Sequence, residues 1–145
     1  MAEKKTILFL CTGNSCRSQM AEAWTNHLKG DQFAAYSAGV KPKGVDPRAV
    51  KAMAEAGLDI SGQKAKDVDV FGKMDFDYVI TLCDNAREAC PYFAAKTRLI
   101  HKGFEDPPKM AENSRSEEEA MTHYRRVRDE IRAFVETLPL ELRDH

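Results

Sequence analysis

Thr6-Ile7-Leu8-Phe9-Leu10-Cys11-Thr12-Gly13-Asn14-Ser15-Cys16-Arg17-Ser18 is the stretch that decides how this chain folds. Its first five residues are apolar or β-branched without alternation, as in a strand buried on both faces of a parallel sheet. From Arg17 to Lys29, Met20, Trp24 and Leu28 recur four apart with polar residues between them, which predicts a helix with one buried stripe and a stop at Gly30. A short loop of Thr, Gly, Asn and Ser joining such a strand to such a helix belongs at the carboxyl edge of a sheet.

The alternation continues along the chain. Phe33 to Ser37 reads as a second strand. Asp46-Pro47 supplies an N-cap and a proline at the first helical position, Val50, Met53 and Ala54 an apolar face, and Gly57 a C-terminal end. Residues 77 to 82 and 97 to 100 predict a third and a fourth strand, ending near Cys83 and His101. Ser116 with Glu119 is a capping-box pattern, and Tyr124, Val127, Ile131, Phe134 and Leu138 follow at helical spacing, with Lys109 to Arg115 as a solvated lead-in. The predicted class is α/β: a three-layer αβα sandwich around a four-stranded parallel sheet, in which the segments after Cys11, Cys83 and His101 share one edge.

The chain has 145 residues, 43% of them hydrophobic, which predicts one domain over 1–145. Its 22 basic and 23 acidic side chains leave a net charge of -1, so no global field draws it to nucleic acid or an anionic membrane. No apolar run approaches the roughly 20 residues that span a bilayer, and Met1-Ala2-Glu3-Lys4-Lys5 carries no export pattern, so a soluble cytoplasmic protein is expected; a monomer is expected as well. In a reducing compartment its four cysteines serve chemistry or metals rather than structural disulfides.

Between Cys11 and Arg17 lie five residues that curl from strand end to helix start. Thr12, Gly13, Asn14, Ser15, Cys16 and Arg17 can turn backbone N–H groups inward as an anion nest, reinforced by the helix dipole. Gly13 and Asn14 tolerate left-handed conformations, and the Arg17 fork matches two oxygens of a tetrahedral anion. The same donors favour a thiolate at Cys11, with Ser18 donating a further hydrogen bond. A cysteine and an arginine at this spacing also occur as an inert core residue and a surface cation; the position between strand and helix favours the nest. Cys16 reads either as a backup thiol for Cys11 or as a small residue whose N–H lines the loop. Zinc is disfavoured, because no second Cys or His pair stands at ligand spacing, and His27, His101, His123 and His145 form no pattern.

Those residues, with Gln19-Met20-Ala21-Glu22, Tyr36-Ser37-Ala38-Gly39, residues 79–83, Cys90-Pro91, Gly103-Phe104-Glu105-Asp106-Pro107 and residues 126–131, resemble the low-molecular-weight tyrosine phosphatase superfamily and, within it, the thioredoxin-coupled arsenate reductases. The resemblance covers almost the whole chain. It implies that Cys11 attacks arsenate, for which phosphate or sulfate are mimics, while Asp106 protonates a leaving oxygen. Cys83 then releases arsenite by forming a disulfide with Cys11, and Cys90 opens that disulfide to leave a Cys83–Cys90 bond for thioredoxin. No organic cofactor is implied. Because Cys83 must meet two sulfurs in turn, residues 84 to 89 are expected to form a short helix that loosens on oxidation. Without Cys11, the pair would read as readily as a core cysteine and an incidental loop cysteine.

Asp106 precedes Pro107, which biases it toward extended backbone and suits a rigid loop presenting a carboxyl. A phosphotyrosine enzyme of this superfamily is expected to carry tyrosine after Asp-Pro; Pro108 stands here instead. Asn14, Glu22 and Ser37 match positions that in some related reductases hold a potassium ion beneath the loop, but Lys66 occupies the place of an acidic ligand, with Asp67 one residue away. The rival readings are a phosphatase for phosphotyrosine or phosphoarginine, and a non-catalytic anion-binding or thiol-sensing module.

Overall fold

The computed structural model describes residues 4–71, 74–83 and 97–139. In chain order the elements are β1 (Lys5–Cys11), α1 (Arg17–Leu28), β2 (Phe33–Gly39), α2 (Pro47–Glu55), a single 3₁₀ turn (Val68–Phe71), β3 (Tyr78–Thr81), β4 (Arg98–His101), α3 (Pro107–Ala111) and α4 (Glu117–Glu136). The strands form one parallel sheet in the order β2-β1-β3-β4.

This order explains the unbroken apolar run that opens the chain. β1 is an inner strand, and Ile7, Leu8, Phe9 and Leu10 are fully buried. From β1 the chain passes through α1 to β2 on one side and later returns to β3 and β4 on the other. The reversal opens a crevice beyond the carboxyl ends of β1 and β3, where α/β sheets bind ligands.

Alternation along β2 identifies the two faces. Ser37 bonds to Glu22 of α1, so its face is covered by that helix, and α4 packs against α1, α2 and α3. Tyr36, one residue away, points to the opposite face and meets Phe71 and Phe76 edge-on in a three-ring cluster with centroids 5.7–5.8 Å apart. Parallel partners point the same way, so Phe9, opposite Ser37, faces α1, and so does Cys11.

The helix ends show how local chemistry is spent. Asp46 accepts from the Arg48 amide at the start of α2. Ser116 accepts from the Glu119 amide, while the Glu119 carboxylate reaches Arg115 rather than Ser116, so the box closes one residue early.

Two expectations need correction. The buried face of α2 is Ala49, Ala52 and Met53, with Val50 half-buried and Ala54 exposed, because alanines permit closer approach than the larger Val50. The stretch expected as a solvated lead-in contains the last residues of α3, whose Pro107 and Ala111 are buried; two consecutive prolines pre-set the φ of a first turn that packs on α4.

Candidate active site

Cys11 ends β1 and Arg17 begins α1, so the intervening loop lies between a strand terminus and the positive end of a helix dipole. The carbonyls of Thr12, Gly13, Asn14 and Ser15 are all engaged by donors outside the loop. Thr12, Gly13 and Ser15 accept from the amides of Lys41, Lys43 and Asp46, and Asn14 accepts from Gln19 Nε2. Since a trans peptide sets C=O and the next N–H on opposite sides, these bonds leave the amides of Gly13, Asn14, Ser15 and Cys16 to face away from the carbonyls' partners. Asn14 makes the curl possible with φ of 49°, in the left-handed region that asparagine tolerates.

Three hydrogen bonds define how Cys11 is held. The Lys66 amide donates to Asn14 Oδ1 at 2.8 Å, which fixes the orientation of the side-chain amide. Asn14 Nδ2 then donates to Ser18 Oγ at 2.8 Å. The Ser18 proton is thereby left for Cys11 Sγ, 2.9 Å away, the arrangement that a thiolate requires. Asn14 and Ser18 are wholly buried and Cys11 is 3% exposed.

Arg17 reaches across the crevice. Its Nη1 donates to the Phe104 carbonyl at 3.0 Å, and Nη2 lies 3.7 Å from the Asp106 carboxylate. Asp106 precedes α3 in extended backbone, φ -91° and ψ 103°, and its carboxyl makes no capping bond. It lines a cleft of about 400 Å3 together with Cys11, Arg17, Lys43, Val45 and Pro108. That space admits a tetrahedral oxyanion between the loop, the guanidinium and a carboxyl.

Cys83 follows β3 and is buried, its Sγ 3.1 Å from Thr12 Oγ1. Leu82 donates its amide to Leu10, so the register sets Leu82 and Cys83 alongside Cys11 and Thr12. Among the described residues, Cys11, Cys16 and Cys83 form no disulfide with one another. Cys90 and the expected helix at 84–89 lie outside the described residues.

Cys16 is a different kind of thiol. Burial, helped by the Asp46 carboxylate and by Cys11, pushes its pKa well above the usual cysteine range despite the opposing Arg17 charge, so it is neutral at pH 7. Asp46 itself joins the loop to α4, since its amide bonds Ser15 while its carboxylate accepts from Tyr124 Oη.

Beneath the loop, Ser37 Oγ donates to Glu22 Oε1 at 2.8 Å, and Lys66 Nζ stands 3.9 Å from the same oxygen. Burial raises the Glu22 pKa, opposed by Ser37 and Lys66. Asn14, Glu22 and Ser37 are thus linked through Lys66. Among the described residues, no group of three or more His, Cys, Asp or Glu side chains is placed to hold a metal.

The sequence left several contributors unmarked. Phe104 and Gln19 stood in stretches that carry the family resemblance, and Asp46-Pro47 read as a helix start, but nothing in sequence marked the Phe104 carbonyl as the partner of Arg17 or Gln19 as a donor to Asn14. Gly39 stood in the Tyr36-Ser37-Ala38-Gly39 stretch of the resemblance, beyond a strand expected to end at Ser37, and the structure extends that strand to Gly39. A Cβ there would lie 2.8 Å from both the Asn14 nitrogen and the Thr12 oxygen, which are backbone atoms. Gly39→Ala is therefore expected to cost about 1–3 kcal/mol in urea unfolding, as overpacking does. Gly62→Ala, with nothing within 4 Å of its Cβ, is the matched control and should be neutral or slightly stabilising.

The model of the low molecular weight phosphotyrosine protein phosphatase family matches residues 6–145. The chain belongs to this family. It is 50% identical over 138 residues to an arsenate reductase of Bacillus licheniformis, covering 92% of this chain and 97% of that protein. A Bacillus subtilis arsenate reductase is 46% identical over 139 residues, covering 93% and 98%. Among solved structures, an arsenate reductase in the phosphate binding state superposes with a TM-score of 0.73 at 32% identity, covering 92% of this chain and 95% of that one. The αβ sheet that carries the loop from Cys11 to Arg17 is the family's fold.

Proposed function

We propose that this chain is a thioredoxin-coupled arsenate reductase. The observation that carries the reading is the second buried thiol: Cys83 lies beside the oxyanion loop, its sulfur in hydrogen-bond reach of Thr12, the residue next to Cys11. Phosphate-ester hydrolysis has no use for that sulfur, whereas a two-electron reduction does. The arsenate reductases at 50% and 46% identity support the same substrate.

In this mechanism the loop amides and Arg17 bind arsenate, and the Cys11 thiolate, held by Ser18, attacks arsenic. Asp106 gives its proton to a departing oxygen, so water leaves and an S–As bond forms. Cys83 attacks the Cys11 sulfur. The S–S bond forms as the S–As bond breaks, its electron pair passes to arsenic, and arsenite departs. Cys90 then attacks Cys83 and releases Cys11, and thioredoxin reduces the Cys83–Cys90 disulfide by two electrons.

Phosphate has nearly the shape and charge of arsenate, so slow hydrolysis of phosphate esters through a phosphocysteine accompanies this activity. Pro108 on the cleft wall gives an aromatic ester no ring to stack against. No helix among the described residues is long and apolar enough to cross a membrane, and the protein acts in this proposal as a cytoplasmic monomer.

The test is arsenate-dependent NADPH consumption with thioredoxin and thioredoxin reductase. Turnover is expected for the intact protein, and no more than a single turnover for Cys90→Ser. Phosphate-ester hydrolysis without any arsenate-dependent turnover would return the chain to the phosphatase reading.

A further inference from the structure

The donors beneath the oxyanion loop do not fit a potassium ion. A hard cation needs several oxygens at once from different residues. Here those oxygens already sit in a hydrogen-bond network of the chain's own, with a positive charge inside it. Asn14 Oδ1 takes the Lys66 amide at 2.8 Å, and the Ser37 hydroxyl donates to Glu22 at 2.8 Å. The Lys64 carbonyl takes both the Lys66 ammonium at 2.8 Å and Gln19 Nε2 at 3.0 Å. Within this set stands a positive charge of the chain's own, the Lys66 ammonium, 3.9 Å from Glu22 Oε1.

The placement is economical. A carboxylate 15% exposed needs a counter-charge, and Lys66 provides it while remaining tethered. Lys66 acts twice, because its backbone N–H also orients Asn14, which directs the Ser18 proton to Cys11. A second cation added within a few ångströms of the ammonium would be repelled by it and would compete with the donors already bonded there.

We propose that Lys66 is a built-in cation: its ammonium takes the place that the family resemblance assigns to potassium and makes the oxyanion loop indifferent to that ion. The loop is then assembled by the chain alone, through β2, α1 and the segment leading to Asp67. Ionic strength still screens the exposed surface charges, but the identity of the monovalent cation has no effect on the loop. This holds whichever oxyanion the loop receives.

Calorimetric melting without substrate tests it, so the outcome is independent of the arsenite assay. The intact protein is compared in about 0.1 M potassium chloride and in tetramethylammonium chloride at the same concentration, which equalises screening. The melting temperatures are expected to agree within about 1 °C, whereas a site that bound potassium would raise the first by about 3–6 °C. A potassium-specific rise of that size in the intact protein overturns the proposal. Lys66→Asp removes the ammonium and adds a carboxylate ligand. Its melting temperature is expected to fall in tetramethylammonium and to recover by about 3–6 °C in potassium. A folded Lys66→Asp protein that responds equally to both salts also overturns the proposal, since the ammonium would then not occupy a cation's position. Should that variant fail to fold, the comparison on the intact protein decides alone.

Discussion

Cys83→Ser is expected to abolish thioredoxin-driven arsenite production while leaving phosphate-ester hydrolysis within about threefold of the parent, a change of less than ~1 kcal/mol in the barrier. The asymmetry follows from which bonds each reaction makes. Hydrolysis needs a nucleophile, an oxyanion loop and a proton donor, and Cys11, Arg17 and Asp106 are untouched by the substitution. Reduction needs a second sulfur to accept the Cys11 sulfur, and serine cannot form an S–S bond. Serine retains a hydroxyl for Thr12, now 3.1 Å from the cysteine sulfur, so the loop should keep its shape. Paired assays on one preparation check this. Lost hydrolysis with intact arsenite production would reverse the roles assigned to the two thiols.

Arg17→Lys is the second large effect, and it falls on both activities together. Arginine here does two things at once: Nη1 is anchored to the Phe104 carbonyl at 3.0 Å, and the rest of the fork faces the cleft near Asp106. Lysine keeps the charge but presents one nitrogen, which can serve the carbonyl or the oxyanion but not both in a planar two-point contact. Removing one preorganised oxyanion donor typically costs about 10²–10³ in kcat, and the same loss is expected here for ester hydrolysis and for arsenite production. Steady-state kinetics on both reactions provide the check. A variant that kept full hydrolysis but lost only reduction would show that the guanidinium serves the disulfide exchange rather than the oxyanion.

The two substitutions are informative because the proposed mechanism assigns Arg17 to the oxyanion loop and Cys83 to the electron transfer. The loop was largely legible in advance. Its ring closes within seven positions, Cys11 to Arg17, and the residues that curl it are local in their effect: Asn14 adopts φ of 49°, and Ser18 is one step into the helix. β1 was legible for a similar reason, since its unbroken apolar run reads as a strand buried on both faces. α3 was missed because two prolines and a charged stretch look like a loop until α4 is there to bury Pro107 and Ala111.

By itself, the sequence determined a parallel α/β sheet, a cysteine at the end of its first strand and an arginine opening the following helix, because these features depend on neighbours along the chain. Only the tertiary structure decided what meets them: Phe104 bonding Arg17 across 87 positions, Cys83 beside Thr12 across 71, and Lys66 bonding Asn14 across 52 while its ammonium stands near Glu22. Contacts at such separations leave no periodic trace in sequence, since they arise where separate strands end at a common sheet edge, and that edge exists only once the chain has folded.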